Sequence, residues 1–191
     1  MLSTISVPDD TWDAFVREHP RGHILQMSSY GALKSAFGWT SARITLAEDG
    51  ELVAGSQILL RPFPFKMGQL AYLPMGPLVT TTEQTTYLWK MIDRHLRNTD
   101  RAVFLKWEPG IYTEQETQPE IKPYGFKPTD QTIQPPNTIL INLRGDEDTI
   151  MARMNQGTRR KIRKSLKKDI TYYEATGDDV HKFTAMMQNT G

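Results

Sequence analysis

Ala42-Arg43-Ile44-Thr45-Leu46, then Glu48-Asp49-Gly50-Glu51, then Leu52-Val53-Ala54-Gly55-Ser56-Gln57-Ile58-Leu59-Leu60 is the stretch on which the fold turns. Two apolar, β-prone runs flank an Asp-Gly pair, and Asp-Gly suits the positive φ angles of a tight hairpin turn. The reading is therefore an antiparallel hairpin in the middle of the chain, which excludes an all-parallel sheet. Upstream, Thr4 to Val7 reads as a short strand. Asp9 or Asp10 can cap a helix with Trp12, Phe15 and Val16 on one face, ended by Pro20. Ser28 or Ser29 can cap a second helix through Leu33 to Phe37, stopped by Gly38.

Downstream, Gly68 to Leu73 reads as a strand. Thr81 or Thr82 starts a helix with Tyr87, Leu88, Met91, Ile92 and Leu96 at helical spacing. Ala102 to Trp107 is apolar with little alternation and reads as a central strand. Residues 109 to 136, rich in Pro and Glu, read as a long loop with one short helix before Tyr124-Gly125-Phe126. Thr138 to Leu143 and Ile170 to Glu174 read as strands. Asp146, Glu147 and Asp148 favour a helix start, because acids suit the positive end of the helix dipole. That helix is predicted to run on through the basic stretch with a break at Gly157, and Asp178 or Asp179 to cap a last helix. The fold class is α/β (α+β): a mixed sheet flanked by helices. The strand and helix at 170 to 191 cannot bury their apolar faces alone and read as the opening of a further domain. The expected division is 1–145, a basic connecting helix at 146–168, and 169–191.

Charge is uneven. From Arg153 to Lys168 there are eight basic residues in sixteen positions and no acid. Residues 1–152 carry a net −4 and residues 169–191 a net −3, so the near-neutral total of +1 hides one strongly positive element on an acidic body. Such an element suits an anionic partner. A helix N-terminus beside Arg159 and Arg160 is a sound phosphate site, with Thr158 as the expected cap. A charge run of this kind also serves as a solvated face. Lys34, at i+4 from Tyr30, reads by spacing alone as a surface lysine lying over the core. Glu108 ends a strand before Pro109, where α/β sheets line ligand crevices. Trp39, Tyr72 and Trp107 suit a core as well as a ligand platform.

Other classes are narrowed by composition. The chain has no Cys, which excludes disulfides, thiolate metal sites and a cysteine nucleophile, and fits a reducing compartment. Its four His residues, at 19, 23, 95 and 181, form no metal-ligand pattern, so no metal is expected. Met1-Leu2-Ser3-Thr4 opens no secretory signal, and no run of apolar residues is long enough to cross a membrane. No nucleophile elbow, paired carboxylates or Gly-rich dinucleotide loop is visible, so the catalytic residues stay unassigned.

Several segments together resemble the Fem-type (FemABX) peptidoglycan cross-bridge aminoacyltransferases. They are Leu25-Gln26-Met27-Ser28-Ser29-Tyr30-Gly31-Ala32-Leu33-Lys34, Tyr72-Leu73-Pro74-Met75-Gly76-Pro77, Lys106-Trp107-Glu108-Pro109, Tyr124-Gly125-Phe126, Ile133-Gln134-Pro135-Pro136-Asn137 and Thr158-Arg159-Arg160-Lys161-Ile162-Arg163-Lys164. The resemblance runs in order along nearly the whole chain. It implies two acetyltransferase-like (GNAT-like) halves, with this chain holding the first and the opening of the second. It implies an aminoacyl-tRNA donor, a peptidoglycan precursor carrying a diphosphate as acceptor (lipid II or a UDP-linked muramyl peptide), no cofactor, a cytoplasmic setting and peripheral contact with the inner membrane face. It assigns acceptor-phosphate binding to Lys34 and to Arg159, Arg160 or Arg163; Glu108, Tyr72 and Trp107 are candidate substrate-binding residues by residue type and position, not by the resemblance. Met75 stands where the family often has a basic residue, so that turn brings no cation here. The chain alone is expected to be inactive. Two alternatives remain open: an acyl-CoA-dependent N-acyltransferase, against which the missing pyrophosphate loop counts, and a nucleic-acid-binding module using the basic helix, against which the acidic body counts.

Overall fold

The computed structural model describes residues 1–98, 101–110, 124–135, 137–139 and 141–190. The short helix expected before Tyr124 falls at 111–123, outside the described residues. By contacts the chain divides into Met1–Pro136 and Asn137–Gly191.

In the first unit, β1 (Leu2–Ile5), β2 (Thr40–Glu48), β3 (Glu51–Pro62), β4 (Gln69–Pro74) and β5 (Ala102–Glu108) lie side by side in chain order. The first four are antiparallel and β5 runs parallel to β4. The β2–β3 turn forms as the sequence dictates, with Asp49 at φ 50° and Gly50 at φ 89°. The helices are α1 (Asp9–Glu18), α2 (Ser28–Ser35) and α3 (Thr82–Asn98).

Strand alternation sends side chains to two faces. On one, Ile44, Leu46, Ala54, Ile58, Leu60, Ala71 and Leu73 meet Leu88, Trp89, Ile92 and Leu96 of α3. On the other, Trp12 and Val16 of α1 pack with Leu78. Trp12 can seat there because residue 55 is Gly: a Cβ on Gly55 would come within 2.6 Å of the indole. The Trp12 Nε1–H donates to the carbonyl of Gln26 at 2.6 Å. The Gln26 amide is fully buried; it donates to the carbonyls of Gln57 and Pro74 and accepts from the Gln57 N–H at 2.8 Å. One side chain thus joins the α1–α2 connection to β3 and to the end of β4.

Capping departs from expectation at α1 and α2 and follows it at α3. The α1 N-cap is Pro8, with Asp9 and Asp10 in the first turn, where their charge faces the dipole. The α2 start is held from outside: Asp13 accepts from both the N–H and the hydroxyl of Ser28. For α3, Thr81 accepts from the Gln84 N–H and Gln84 reaches back to the Thr80 N–H, a capping box. The last helix, Val180–Thr190, is preceded by a turn capped by Thr176, with Asp179 accepting in return. β5 is the end strand of the described sheet, not a central one. Leu105 and Trp107 lie towards the α3 core, whereas Val103 and Phe104 are exposed, Phe104 lying against Phe63. The apolar run thus joins covered and exposed residues, and it says nothing of how many edges are paired.

The second unit holds α4 (Glu147–Arg153), α5 (Gln156–Leu166) and α6 (Val180–Thr190). Asp146 caps α4, accepting from the Thr149 N–H at 2.7 Å. The break in the basic stretch lies at Met154 and Asn155, not at Gly157, which sits in the first turn of α5. The α5 cap is Asn155, not Thr158; its carboxamide accepts from the Thr158 N–H at 2.8 Å. Neither Ile170 to Glu174 nor the described residues between Thr138 and Leu143 form a strand. Their sequences are β-prone, but a strand needs a partner's N–H and C=O groups, and no described residue supplies them. Accordingly Ile139, Ile141, Leu143, Tyr172 and Tyr173 are exposed. Among the described residues no helix is long and apolar enough to cross a membrane.

Candidate functional site

The parallel pairing of β4 and β5 sets Pro74 opposite Glu108, bringing two carboxyl strand ends together. The Met75 N–H donates to the Glu108 carbonyl at 2.7 Å, which fixes the turn after β4 to the end of β5. Tyr72, on the α1–α2 face of β4, is buried, and its hydroxyl donates to Glu108 Oε2 at 2.5 Å. Burial first, and the Glu108 carboxylate second, push the Tyr72 hydroxyl far above its ordinary titration, so it remains a donor. Glu108 also accepts from the N–H groups of Ile133 and Gln134, and the Gln134 carboxamide donates to the Tyr72 oxygen at 3.2 Å. With three donors on one carboxylate, Glu108 is a hub that seats residues 133–134 over the strand ends. Lys106, two residues earlier on the same face, clasps the same segment by donating to the Gln131 carbonyl.

On α2, the Lys34 ammonium lies 5.4 Å from the centroid of the Tyr30 ring. Tyr30 is close enough to Tyr72 that its charge would oppose ionisation there. Trp39 packs 6.5 Å from Tyr72, and the Arg61 guanidinium stands 5.5 Å from the Trp39 ring. The first unit therefore joins Tyr72, Glu108 and Gln134, with Trp39 and Arg61 beside Tyr72, while Lys34 stands on α2 over Tyr30. Arg61 and Gln134 carried no sequence signal of a site role beyond the segment that Gln134 belongs to. Trp107 points the other way. Its Nε1–H donates to the Gly76 carbonyl at 2.6 Å, and its ring meets Trp89 edge to face at 4.8 Å and lies tilted against Phe126 at 5.0 Å. It shapes the site by fixing the turn after β4.

In the second unit the basic residues separate by role. Arg159 is half-buried and donates to the carbonyls of Met154 at 2.6 Å and Ala152 at 3.2 Å, closing the α4 end. Arg153 likewise donates to the carbonyls of Asn142 and Arg144. Arg160, Arg163, Lys164 and Lys167 recur at helical spacing, are exposed, and border an open hollow of about 720 Å³ with Gln156, Gly157 and Arg159. Because Asn155 already occupies the Thr158 N–H, an anion here would be met mainly by side chains. No group of His, Asp or Glu able to hold a metal occurs among the described residues.

Residues 7–125 match the profile of the FemAB family. The chain is similar to the lipid II:glycine glycyltransferase of Staphylococcus saprophyticus, 25% identical over 201 residues that take in 100% of this chain and 48% of the relative. The Staphylococcus aureus enzyme of the same name is 24% identical over the same span. The crystal structure of FemX matches with a TM-score of 0.87 at 24% identity, covering 99% of this chain and 50% of that one, a likeness of fold. The chain spans about half the length of the curated relatives it matches.

Proposed function

The chain belongs to the FemAB family, and from that premise we propose that it forms the acceptor-binding part of an aminoacyltransferase of peptidoglycan cross-bridge synthesis. The observation that carries this reading is the similarity of all of this chain to lipid II:glycine glycyltransferases. The Tyr72–Glu108 pair where two carboxyl strand ends meet, with Lys34 on α2 over Tyr30, supports it. The reaction is aminolysis. An amine on the precursor's stem peptide attacks the ester carbonyl of an aminoacyl-tRNA, the amide forms, and the tRNA hydroxyl leaves with the proton. The setting is cytoplasmic, where charged tRNA is made.

Lys34 in the first unit and Arg160 and Arg163 in the second each offer a cation to acceptor phosphate, while Arg159 braces the helix that carries its neighbours. Glu108 and Tyr72 hold residues 133–134 as one wall for the stem peptide, and Trp107 fixes the adjoining turn. Holding the amine in place is the main contribution such a part makes to rate. The lysines of α5 add a field suited to tRNA.

Titration of the 191-residue chain with a UDP-linked muramyl peptide tests this. Binding that weakens about tenfold in Lys34→Ala and in Arg163→Ala is expected, the size of a charge-assisted contact. Binding also falls as salt rises. No binding by the parent chain, or binding by both variants as tight as the parent's, overturns the reading.

A further inference from the structure

The β3–β4 connection exposes what a soluble surface ordinarily hides. Phe65 is 94% exposed, Met67 65%, and beside them on β5 Val103 is 61% and Phe104 52% exposed. They form one patch: the Phe63 and Phe104 rings are 6.1 Å apart, the Phe63 N–H donates to the Gly68 carbonyl, and Gly68 lies close to Val103. Phe65 is held at φ 58°, a left-handed conformation unusual for an aromatic residue. The tip is therefore built to present its ring outward.

Formal charge along the β3–β4 connection has one sign. Between Glu51 and Glu83 the sequence contains no acid, while Arg61 lies at the end of β3 and Lys66 in the connection. On the β5 side Arg101 follows Asp100 in sequence, so that approach is neutral, and the Arg101 carbonyl accepts from the Gln69 N–H. This acid-free run lies in a region, residues 1–152, whose net charge is −4. An aromatic and thioether tip with cations and no acids matches the boundary of an anionic bilayer, where rings enter the headgroup layer and cations meet lipid phosphates. In the second unit, exposed Ile170, Tyr172, Tyr173 and Val180 lie among Asp169, Glu174, Asp178 and Asp179, the wrong sign for such a surface.

We infer that the tip of Phe63, Phe65 and Met67, with Val103 and Phe104, is a peripheral membrane-docking surface that inserts into anionic lipid. The inference rests on the proposed function in one respect, that the acceptor is lipid-linked. Tyr72 lies four residues beyond Gly68 on β4, about 13 Å along the strand, so docking at the tip holds the Tyr72–Glu108 site near the bilayer surface.

The test uses the 191-residue chain and vesicles of phosphatidylcholine with a third phosphatidylglycerol, free of any peptidoglycan precursor. Co-sedimentation is expected with these vesicles and not with phosphatidylcholine alone. Phe65→Asn is expected to weaken it about tenfold while leaving the fold intact, since Asn adopts this backbone conformation readily. Because the chain has no native Cys, an environment-sensitive dye on Met67→Cys reports insertion by a blue shift. The same dye on Asp49→Cys, at the opposite hairpin turn, is expected to give none. Unchanged vesicle binding by Phe65→Asn, or equal dye response at both turns, overturns the inference. So does a self-association lost in Phe65→Asn without any lipid binding, which would make the tip a protein contact. Acceptor titration and vesicle binding share no ligand, so either proposal can fail while the other stands.

Discussion

The first unit buries Trp12, Leu46, Ile58, Leu73 and Leu88 completely, whereas no described residue of the second unit is buried. Both units contain regular helices, so burial is not what makes a helix appear in this chain. In the first unit the helices are amphipathic and lie on a sheet. In the second, Asp146 and Asn155 cap the helix starts, Arg159 satisfies carbonyls at the α4–α5 junction, and Arg153 reaches back to the Asn142 and Arg144 carbonyls before α4. Order in the first unit is cooperative and arises from the core; order in the second is local and arises from caps. The two proposed cation sets divide the same way. Lys34 stands on a helix whose start is tied down by Asp13, and Arg160 and Arg163 stand on one that depends on Asn155.

This contrast can be broken most forcefully at Trp12. Trp12→Ala removes a fully buried indole and its hydrogen bond to Gln26, and is expected to cost about 4 kcal/mol in denaturant unfolding of the first unit. Hydrogen exchange on α5 should be unchanged; a matched loss of protection there would show that one core governs both regions. Next, Gln26→Leu keeps most of the volume but leaves the Gln57 N–H and two carbonyls without partners. It is expected to cost about 2 kcal/mol, and a smaller loss would mean that water replaces the amide.

A weaker effect is expected at the caps. Asn155→Ala should lower α5 stability by about 1 kcal/mol, read as faster exchange at Thr158 and Arg159, with no change in the unfolding midpoint of the first unit. The smallest effect concerns pH. Burial first, and the Arg21 charge second, hold the His19 imidazole below its ordinary value of 6.5. A histidine with a lowered folded pKa binds its proton more readily unfolded. Its stabilising contribution is therefore whole above about pH 6.5 and declines as pH falls through that value. The denaturation midpoint should drop between pH 7 and pH 5, and His19→Gln should shrink the drop. Some slope should remain, because burial also lowers the pKa of His23.

The candidate site was legible to unequal depth. Lys34 and Glu108 were reachable because each sits in a short segment of recognisable pattern. The Glu108–Tyr72–Gln134 network was not, since it joins positions up to 62 apart through a register that only the sheet defines. Arg159 and Arg160 are adjacent and alike in sequence, yet one is spent on helix carbonyls and the other faces solvent.

By itself the sequence determined the elements whose cause is local: the Asp49-Gly50 turn, the helical spacing of α3, the acids that start α4, and the concentration of positive charge in α5. Local rules reach only a few residues, so they identify an element's type and its covered faces. They do not say which neighbour lies at its edge. Tertiary structure decided that β5 ends the described sheet, and that the β-prone runs after Thr138 and at Ile170 stay unpaired. It also decided that Gln26 and Glu108 each join distant strands. Those outcomes depend on hydrogen-bond partners brought in from far along the chain, and no single stretch of sequence carries that information.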